Sequence, residues 1–414
     1  MAARRREGLG LRSRRSRSRL AVAALAVAFL ALAVGARAAT VGVPRLTIER
    51  TVARYVRLAG KRPALAWPGE GEATVEVEGV GSFGTFGSQT RVPIASVAKV
   101  MTAYLTLSEH PLSAQGHGFV MTITAAEASE EQQRAALAQS VVAVTPGERI
   151  SELQALEALM LPSANNIAEL LATYDAGSRG AFVARMNRTA KRLGMSSTLY
   201  TDPSGFEDTT RSTAADQLKL ARVAMRIPAF AAIVNESSAT LPVAGTVTNY
   251  DTLLGREGYV GVKTGSDRAA GGCFVFAKRV VVAGRHLTVL GVVLGQRAEP
   301  LIESALDAAR RLGDSAAAAL RVEDVLHAGT SVLTAHAAGG ASATVTTART
   351  LRQIGWPGLA LPVYLLVAEV PSRLRDGQRL ATVAVGGATP AATGAVATHS
   401  LGGASLGWRL RHVL

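Results

Sequence analysis

Ser96 and Lys99 stand three residues apart in "PIASVAKVMTAYLTLSEHP", at the head of an apolar helical run. One helical turn puts both side chains on one face. A serine hydroxyl is a weak nucleophile until a base takes its proton. Lysine can be that base only where burial lowers its pKa, and an apolar helix supplies that setting. The plain alternative is a serine N-cap followed by a surface lysine. Residue usage bears on the choice, because the chain holds 39 arginines and only six lysines. Arginine keeps its proton at any working pH and lysine does not. A lysine beside a serine on a buried helix is therefore weighted toward chemistry.

Two further groups have chemical potential. Lys263, Thr264, Gly265 and Ser266 end an apolar strand, "GYVGVKTGS". Thr264 offers a hydroxyl, and Gly265 permits close approach of a ligand backbone. A substrate laid along this strand edge would bond to it as an added strand. The alternative is an ordinary strand-to-turn sequence. Ser163 and Asn165 flank Ala164 in "LPSANNIAELLA", just ahead of another helical run. Taken alone, they read as helix caps.

The elements that must position these groups follow from periodicity. "ATVEVEGVGSFGTFG" reads as a strand pair. The Ser96 helix carries an apolar stripe of Val97, Val100, Met101, Tyr104 and Leu105, and stops before Pro111. Residues 113–150 read as polar loops and short strands. "SELQALEALML" opens with a capping box of Ser151 and Gln154 and breaks near Pro162. Helices follow over "NNIAELLATY" and "RGAFVARMNRTAKRLGM", and another begins near Ser212 or Thr213. From Gly258 the pattern becomes an antiparallel meander, closed by the helix "PLIESALDAARRLGD". This order predicts an α+β fold with a separate helical lobe. After about Arg321 short Val-, Thr-, Ala- and Gly-rich pieces, including the final "LGWRLRHVL", read as a small all-β domain.

The 414 residues allow two or three domains, and the 48% hydrophobic content argues against general disorder. Of the net charge of +14, the first 38 residues supply nine arginines against one acid. The rest shows no basic stripe, so no nucleic-acid partner is indicated. The arginines precede "LAVAALAVAFLALAVGA", an unbroken run of 17 apolar or glycine residues, and then the A-x-A site Ala36-Arg37-Ala38. This predicts an export signal cut before Ala39, or an uncleaved N-terminal anchor, with the remainder outside the membrane. Arg14-Arg15 offers a weak twin-arginine match. Cys273 is the only cysteine, so neither an intrachain disulfide nor a cysteine-based metal site can form. In "GGCFVFA" it reads as a small buried hydrophobe. The seven histidines are scattered without paired spacing, and no metal ligands are assigned.

S-x-x-K, S-x-N and K-T-G in that order, at intervals of 67 and 100 residues, resemble the signature of penicillin-binding proteins and serine β-lactamases. With "MNRTAKRLGM" and "DPSGFEDTTRSTAADQ", residues 70–312 look like the low-molecular-weight branch, the D-alanyl-D-alanine carboxypeptidases. The resemblance implies a β-lactamase/penicillin-binding-protein-like transpeptidase fold, an antiparallel sheet flanked by helices plus a helical lobe. It implies three parts: a leader at 1–38, a catalytic domain at 39–320 and a β-rich domain at 321–414. It also implies roles. Ser96 attacks the carbonyl between two terminal D-alanines of a peptidoglycan stem peptide, and Lys99 is its base. Ser163, with Asn165 and Lys263, relays a proton to the departing D-alanine and holds the substrate. Lys263 and Thr264 bind its carboxylate, and the backbone N–H groups of Ser96 and Ser266 form the oxyanion hole. β-Lactams are implied as covalent inhibitors, with no cofactor.

The chain departs from the family at Ala164, where glycine is common, and at Asp267-Arg268, where a threonine is usual at the first of the two. Arg268 is placed either to contact a substrate carboxylate or to pair with Asp267, and the ion pair is the favoured reading. Other readings are a β-lactamase, which lacks an E-x-x-L-N element between Ser163 and Lys263, and a non-catalytic wall-binding protein, which would be expected to have lost its nucleophile or base.

Overall fold

The computed structural model describes residues 10–113 and 116–413, with side chains from Ala21 onward. Arg4, Arg5 and Arg6 of the basic leader lie outside the described residues. A helix spans Gly10–Thr40. Its stretch Ala21–Thr40 has a mean hydropathy of 2.1 and is almost wholly exposed, so it is long and apolar enough to cross a membrane.

The middle of the chain builds a five-stranded antiparallel sheet. Its order is Tyr259–Asp267, Gly271–Val282, Arg285–Gln296, Glu72–Val77, Gly81–Phe86. Side chains alternate across the pleat. Cys273, Val275 and Ala277 face the helical lobe, while Phe274 and Phe276 face the closing helix Leu301–Ala318. Both faces are covered, which is why "GGCFVFA" is apolar at every position. The Cys273 thiol is fully buried, and burial pushes its pKa up to about 12, so it packs rather than reacts.

The helical lobe surrounds Lys99–Glu109, which we call the central helix. It is buried nearly all round, not along a single stripe. Thr102 and Thr106 enter the core because their hydroxyls donate to Pro203 O at 2.6 Å and Asp175 Oδ2 at 2.7 Å. Helices Glu152–Met160, Asn165–Ala176 and Arg179–Arg192 pack in the same lobe. The first of them has the predicted capping box. Helix Ala214–Ala224 is capped by Thr213, one of the two residues expected.

Three segments differ from the sequence reading. Residues 125–136 form a helix, opened by a reciprocal capping box of Thr124 and Glu127. "LGWRLR", read as part of an all-β tail, is a short helix, Leu406–Arg411. It lies by the end of the N-terminal helix, with Arg409 donating to Ala39 O at 3.4 Å. Strands Thr47–Arg50 and Tyr55–Arg57, assigned to the catalytic stretch, instead form the two edges of the C-terminal seven-stranded sheet. That sheet has two strand edges to cover, and the chain covers both before entering the catalytic part.

Candidate active site

Ser96 lies on a single 3-10 turn, Ala95–Ala98, that leads into the central helix at Lys99. A 3-10 turn has three residues per turn, so residues three apart eclipse. Lys99 Nζ accordingly sits 2.8 Å from Ser96 Oγ. Ala95 just ahead has φ of +46°, a left-handed conformation that costs a non-glycine residue energy and is typical of functional turns.

The Lys99 amine is fully buried and has two other partners. It donates to Asn165 Oδ1 at 2.7 Å and to Ser204 O at 3.0 Å. Burial, reinforced by the like charge of Lys263, holds its pKa well below the ordinary lysine range; Asp202 and Glu169 oppose the shift. Asp202 also shapes the loop that supplies the Ser204 carbonyl. Its carboxylate accepts from Ser204 N at 3.1 Å, Ser204 Oγ at 2.6 Å, Phe206 N at 2.9 Å and Thr210 Oγ1 at 2.5 Å.

Neither Ser163 nor Asn165 caps the helix Asn165–Ala176. The cap position is Ala164, with no side-chain bond. Ser163 is buried at φ of +66°, and its hydroxyl has no hydrogen-bond partner among the described residues. Asn165 spends its side chain on Lys99 and, through Nδ2, on Gln139 Oε1 at 3.0 Å. Its backbone N–H is taken by Ser140 O at 2.7 Å.

Lys263, Thr264, Gly265 and Ser266 lie on the outermost strand of the five-stranded sheet, paired on one side with Val275, Phe274, Cys273 and Gly272. The face that Gly265 shares with Cys273 packs on the Ser96 turn, which leaves the outer edge unpaired by any strand of this sheet. A Cβ on Gly265 would lie 2.9 Å from Ser96 N and 3.0 Å from Val97 N. The glycine therefore admits the nucleophile's own backbone, where the sequence suggested only a ligand's. Lys263 is buried, which lowers its pKa to about 7 against the opposing charge of Asp251. The favoured Asp267–Arg268 ion pair does not form. Asp267 Oδ1 accepts from Ala270 N at 2.6 Å, and the Arg268 side chain is exposed.

All eight candidate residues thus come from the Ser96 turn, the start of Asn165–Ala176 and the outer strand. Sequence reasoning missed Gln139, the Ser204 carbonyl and Asp251. "DPSG" carried a signal for the second, since an Asp ahead of Ser-Gly favours a tight side-chain-bonded turn. Among the described residues no cluster of three or more His, Cys, Asp or Glu side chains could hold a metal ion.

A family profile described as D-alanyl-D-alanine carboxypeptidase matches residues 86–297, which contain every one of these groups. The chain belongs to that family. It is 35% identical over 204 residues to D-alanyl-D-alanine carboxypeptidase DacB2 of Mycobacterium tuberculosis, covering 48% of this chain and 65% of that relative. It is 30% identical over 244 residues to a D-alanyl-D-alanine carboxypeptidase of a Streptomyces species, covering 53% of this chain and 78% of the relative. The chain thus spans a little under two thirds of the first relative. The fold is also that of the D-alanyl-D-alanine carboxypeptidase DacD of Francisella tularensis, with a TM-score of 0.59 at 20% identity over 86% of this chain and 97% of that one. That likeness extends beyond the family match, and it bears on fold alone.

Proposed function

We propose that this chain is a serine D-alanyl-D-alanine carboxypeptidase that trims peptidoglycan stem peptides on the outer side of a bacterial membrane. We further propose a division into a leader at 1–38, a catalytic unit within 39–320 and a β-rich unit at 321–414, with residues 47–57 lent to the last.

The observation that carries the reading is the threefold coordination of Lys99. A neutral amine has two N–H bonds and one lone pair. Asn165 Oδ1 and Ser204 O can only accept, so they take the two N–H bonds. The lone pair is left toward Ser96 Oγ. Lys99 takes the hydroxyl proton as Oγ attacks the carbonyl carbon of the D-Ala–D-Ala bond. The C–N bond then breaks, and a proton passes to the departing amine by way of Ser163, whose hydroxyl is unpartnered among the described residues. The resulting Ser96 ester is released by water. Lys263, in its ammonium form, and Thr264 bind the substrate's terminal carboxylate. The outer strand gives the peptide backbone an edge to pair with. The N–H groups of Ser96 and Ser266 face the developing oxyanion; losing one such donor costs about 2.7–4 kcal/mol. A β-lactam follows the same path to acylation, but its amide nitrogen stays tethered.

The test is a digest of penicillin-labelled protein, combined with D-alanine release from a pentapeptide ending in D-Ala-D-Ala. The adduct is expected on Ser96, and Ser96→Ala should abolish both label and release. An intact protein that releases no D-alanine would sink the proposal. An adduct that hydrolyses in seconds would favour a β-lactamase instead, and no adduct at all a non-catalytic wall-binding protein. The N-terminal helix serves as export signal or membrane tether; the first residue of the mature protein distinguishes them.

A further inference from the structure

We propose that Gln139 is a positioning residue that fixes the orientation of the Asn165 amide and, through it, the direction of the Lys99 lone pair. The inference rests on the reading of Lys99 as the base.

The two ends of an asparagine amide have nearly the same shape. Hydrogen bonding alone decides which end faces which neighbour. Asn165 presents Oδ1 to Lys99 at 2.7 Å and Nδ2 to Gln139 Oε1 at 3.0 Å. The second contact sets the first, because Gln139 offers an acceptor and so requires a donor opposite. Gln139 could itself be turned, but its oxygen also accepts from Arg134 Nη1 at 3.3 Å. A guanidinium has donors only, so the glutamine oxygen must face it. Arg134 is held in turn by Glu130 at 2.5 Å and Glu169 at 3.6 Å. The polarity of every link from these carboxylates to Ser96 is therefore fixed in one sense.

The backbone holds Gln139 in place. Ala138 turns the chain at φ of +56°. Ser140 O then accepts from Asn165 N at 2.7 Å, and Val142 exchanges bonds of 3.2 Å and 2.9 Å with the Asn166 side chain. The loop is fastened to the start of the helix that carries Asn165.

Without the Gln139 acceptor, only the Lys99 N–H bond to Oδ1 holds the amide, and a neutral amine satisfies a turned amide equally well by accepting from it. Nδ2 would then face Nζ and donate into the lone pair that Ser96 requires. Acylation would slow at every pH. A turned amide also aims N–H bonds at the ammonium form, which disfavours it. The charged groups already acting on Lys99 are Lys263, Asp202 and Glu169, and all of them remain. The acid limb of the rate profile should therefore move to lower pH as the plateau falls.

The experiment measures fluorescent-penicillin acylation across pH for the wild type, Gln139→Met, Gln139→Glu and Lys99→Met. Methionine keeps the volume and removes the acceptor. Glutamate keeps an acceptor for Asn165 and an ion pair for Arg134. Gln139→Met should acylate about tenfold more slowly, part of the roughly 10²–10⁴-fold that a positioned base contributes. Its affinity for the penicillin before acylation should be unchanged, and its acid limb should shift down. Gln139→Glu should keep the wild-type plateau rate, with its acid limb moved to higher pH by the added carboxylate, opposite to Gln139→Met. The proposal is overturned if Gln139→Met keeps the wild-type rate and profile, or if Gln139→Glu is equally slow. A Lys99→Met chain that labels normally would instead sink the base reading beneath it. Should Gln139→Met melt early, Arg134→Met asks the same question from the other side of the amide: the same acid shift supports the proposal, and an unchanged profile refutes it.

Discussion

Lys99 and Lys263 are both buried amines, and the charge of Lys263 disfavours the proton on Lys99. Their proposed tasks need opposite charge states, a neutral base at Lys99 and an ammonium at Lys263. Asp251 resolves this by lying near Lys263. Burial lifts the Asp251 carboxyl to about 6, with the Leu253 N–H and Lys263 opposing, and its Oδ2 has no hydrogen-bond partner among the described residues. Lys263, lowered to about 7, loses its proton as pH rises through that value, so KM for a carboxylate-bearing peptide should climb there. Asp251→Asn removes the supporting charge, and the climb should begin at lower pH with kcat less affected. A KM–pH profile identical to the wild type would refute this. Stability carries the same sign. Between about 7 and 10.5 the unfolded chain holds the Lys263 proton and the folded one does not. Stability attributable to this group therefore rises with pH across that window, and the penalty is full below it. Lys263→Met should flatten that slope in pH-dependent melts. The lysines were legible because they are rare. Asp251 was not, because an Asp between Tyr and Thr in a turn-rich segment reads as a loop residue until the sheet brings it near Lys263.

The loop that supplies Ser204 O is pressed against the Ser96 turn. Gly205 has φ of +80°, and a Cβ there would lie 1.8 Å from Ala95 O. Gly194, at the end of helix Arg179–Arg192, has φ of +71° with nothing within 4 Å. Alanine at either site pays for the left-handed backbone, about 1–2 kcal/mol. Only at Gly205 must the loop also move. Gly194→Ala should thus lower the melting temperature and leave acylation intact, whereas Gly205→Ala should lower both, because the carbonyl leaves Lys99. Equal acylation by the two variants would show that the loop's seat does not matter. Elements with a buried stripe or a cap were readable from their own residues, as at Ser151 and Thr213. Helix Ala125–Ala136 was not, since it buries only Ala128 and Glu131 and shows little apolar periodicity. Its usable signal was the Thr124–Glu127 capping box.

Strand order and sheet membership depend on partners far apart in the chain, and no local pattern encodes them. Residues 47–57 show the consequence. Their short, mixed composition reads as a lead-in, yet they pair with residues about three hundred positions away. The same long-range closure ties the two halves together. One apolar cluster runs from the closing helix through the Phe274 and Phe276 face of the sheet into the C-terminal strands. At the junction, Trp356 stacks on Phe83 with ring centroids 3.7 Å apart and is almost fully buried. A continuous cluster should make the catalytic unit and the β-rich unit unfold together. Trp356→Ala removes about 3–5 kcal/mol from the junction, while the Ser96 turn lies in the other cluster, on the far face of the sheet. Calorimetry of the wild type should then give one transition and of Trp356→Ala two, of which only the catalytic one moves upward when Ser96 carries a penicillin. A single transition in the variant, shifted as a whole by the adduct, would mean that the lent strands at 47–57 suffice to couple the halves without the aromatic stack.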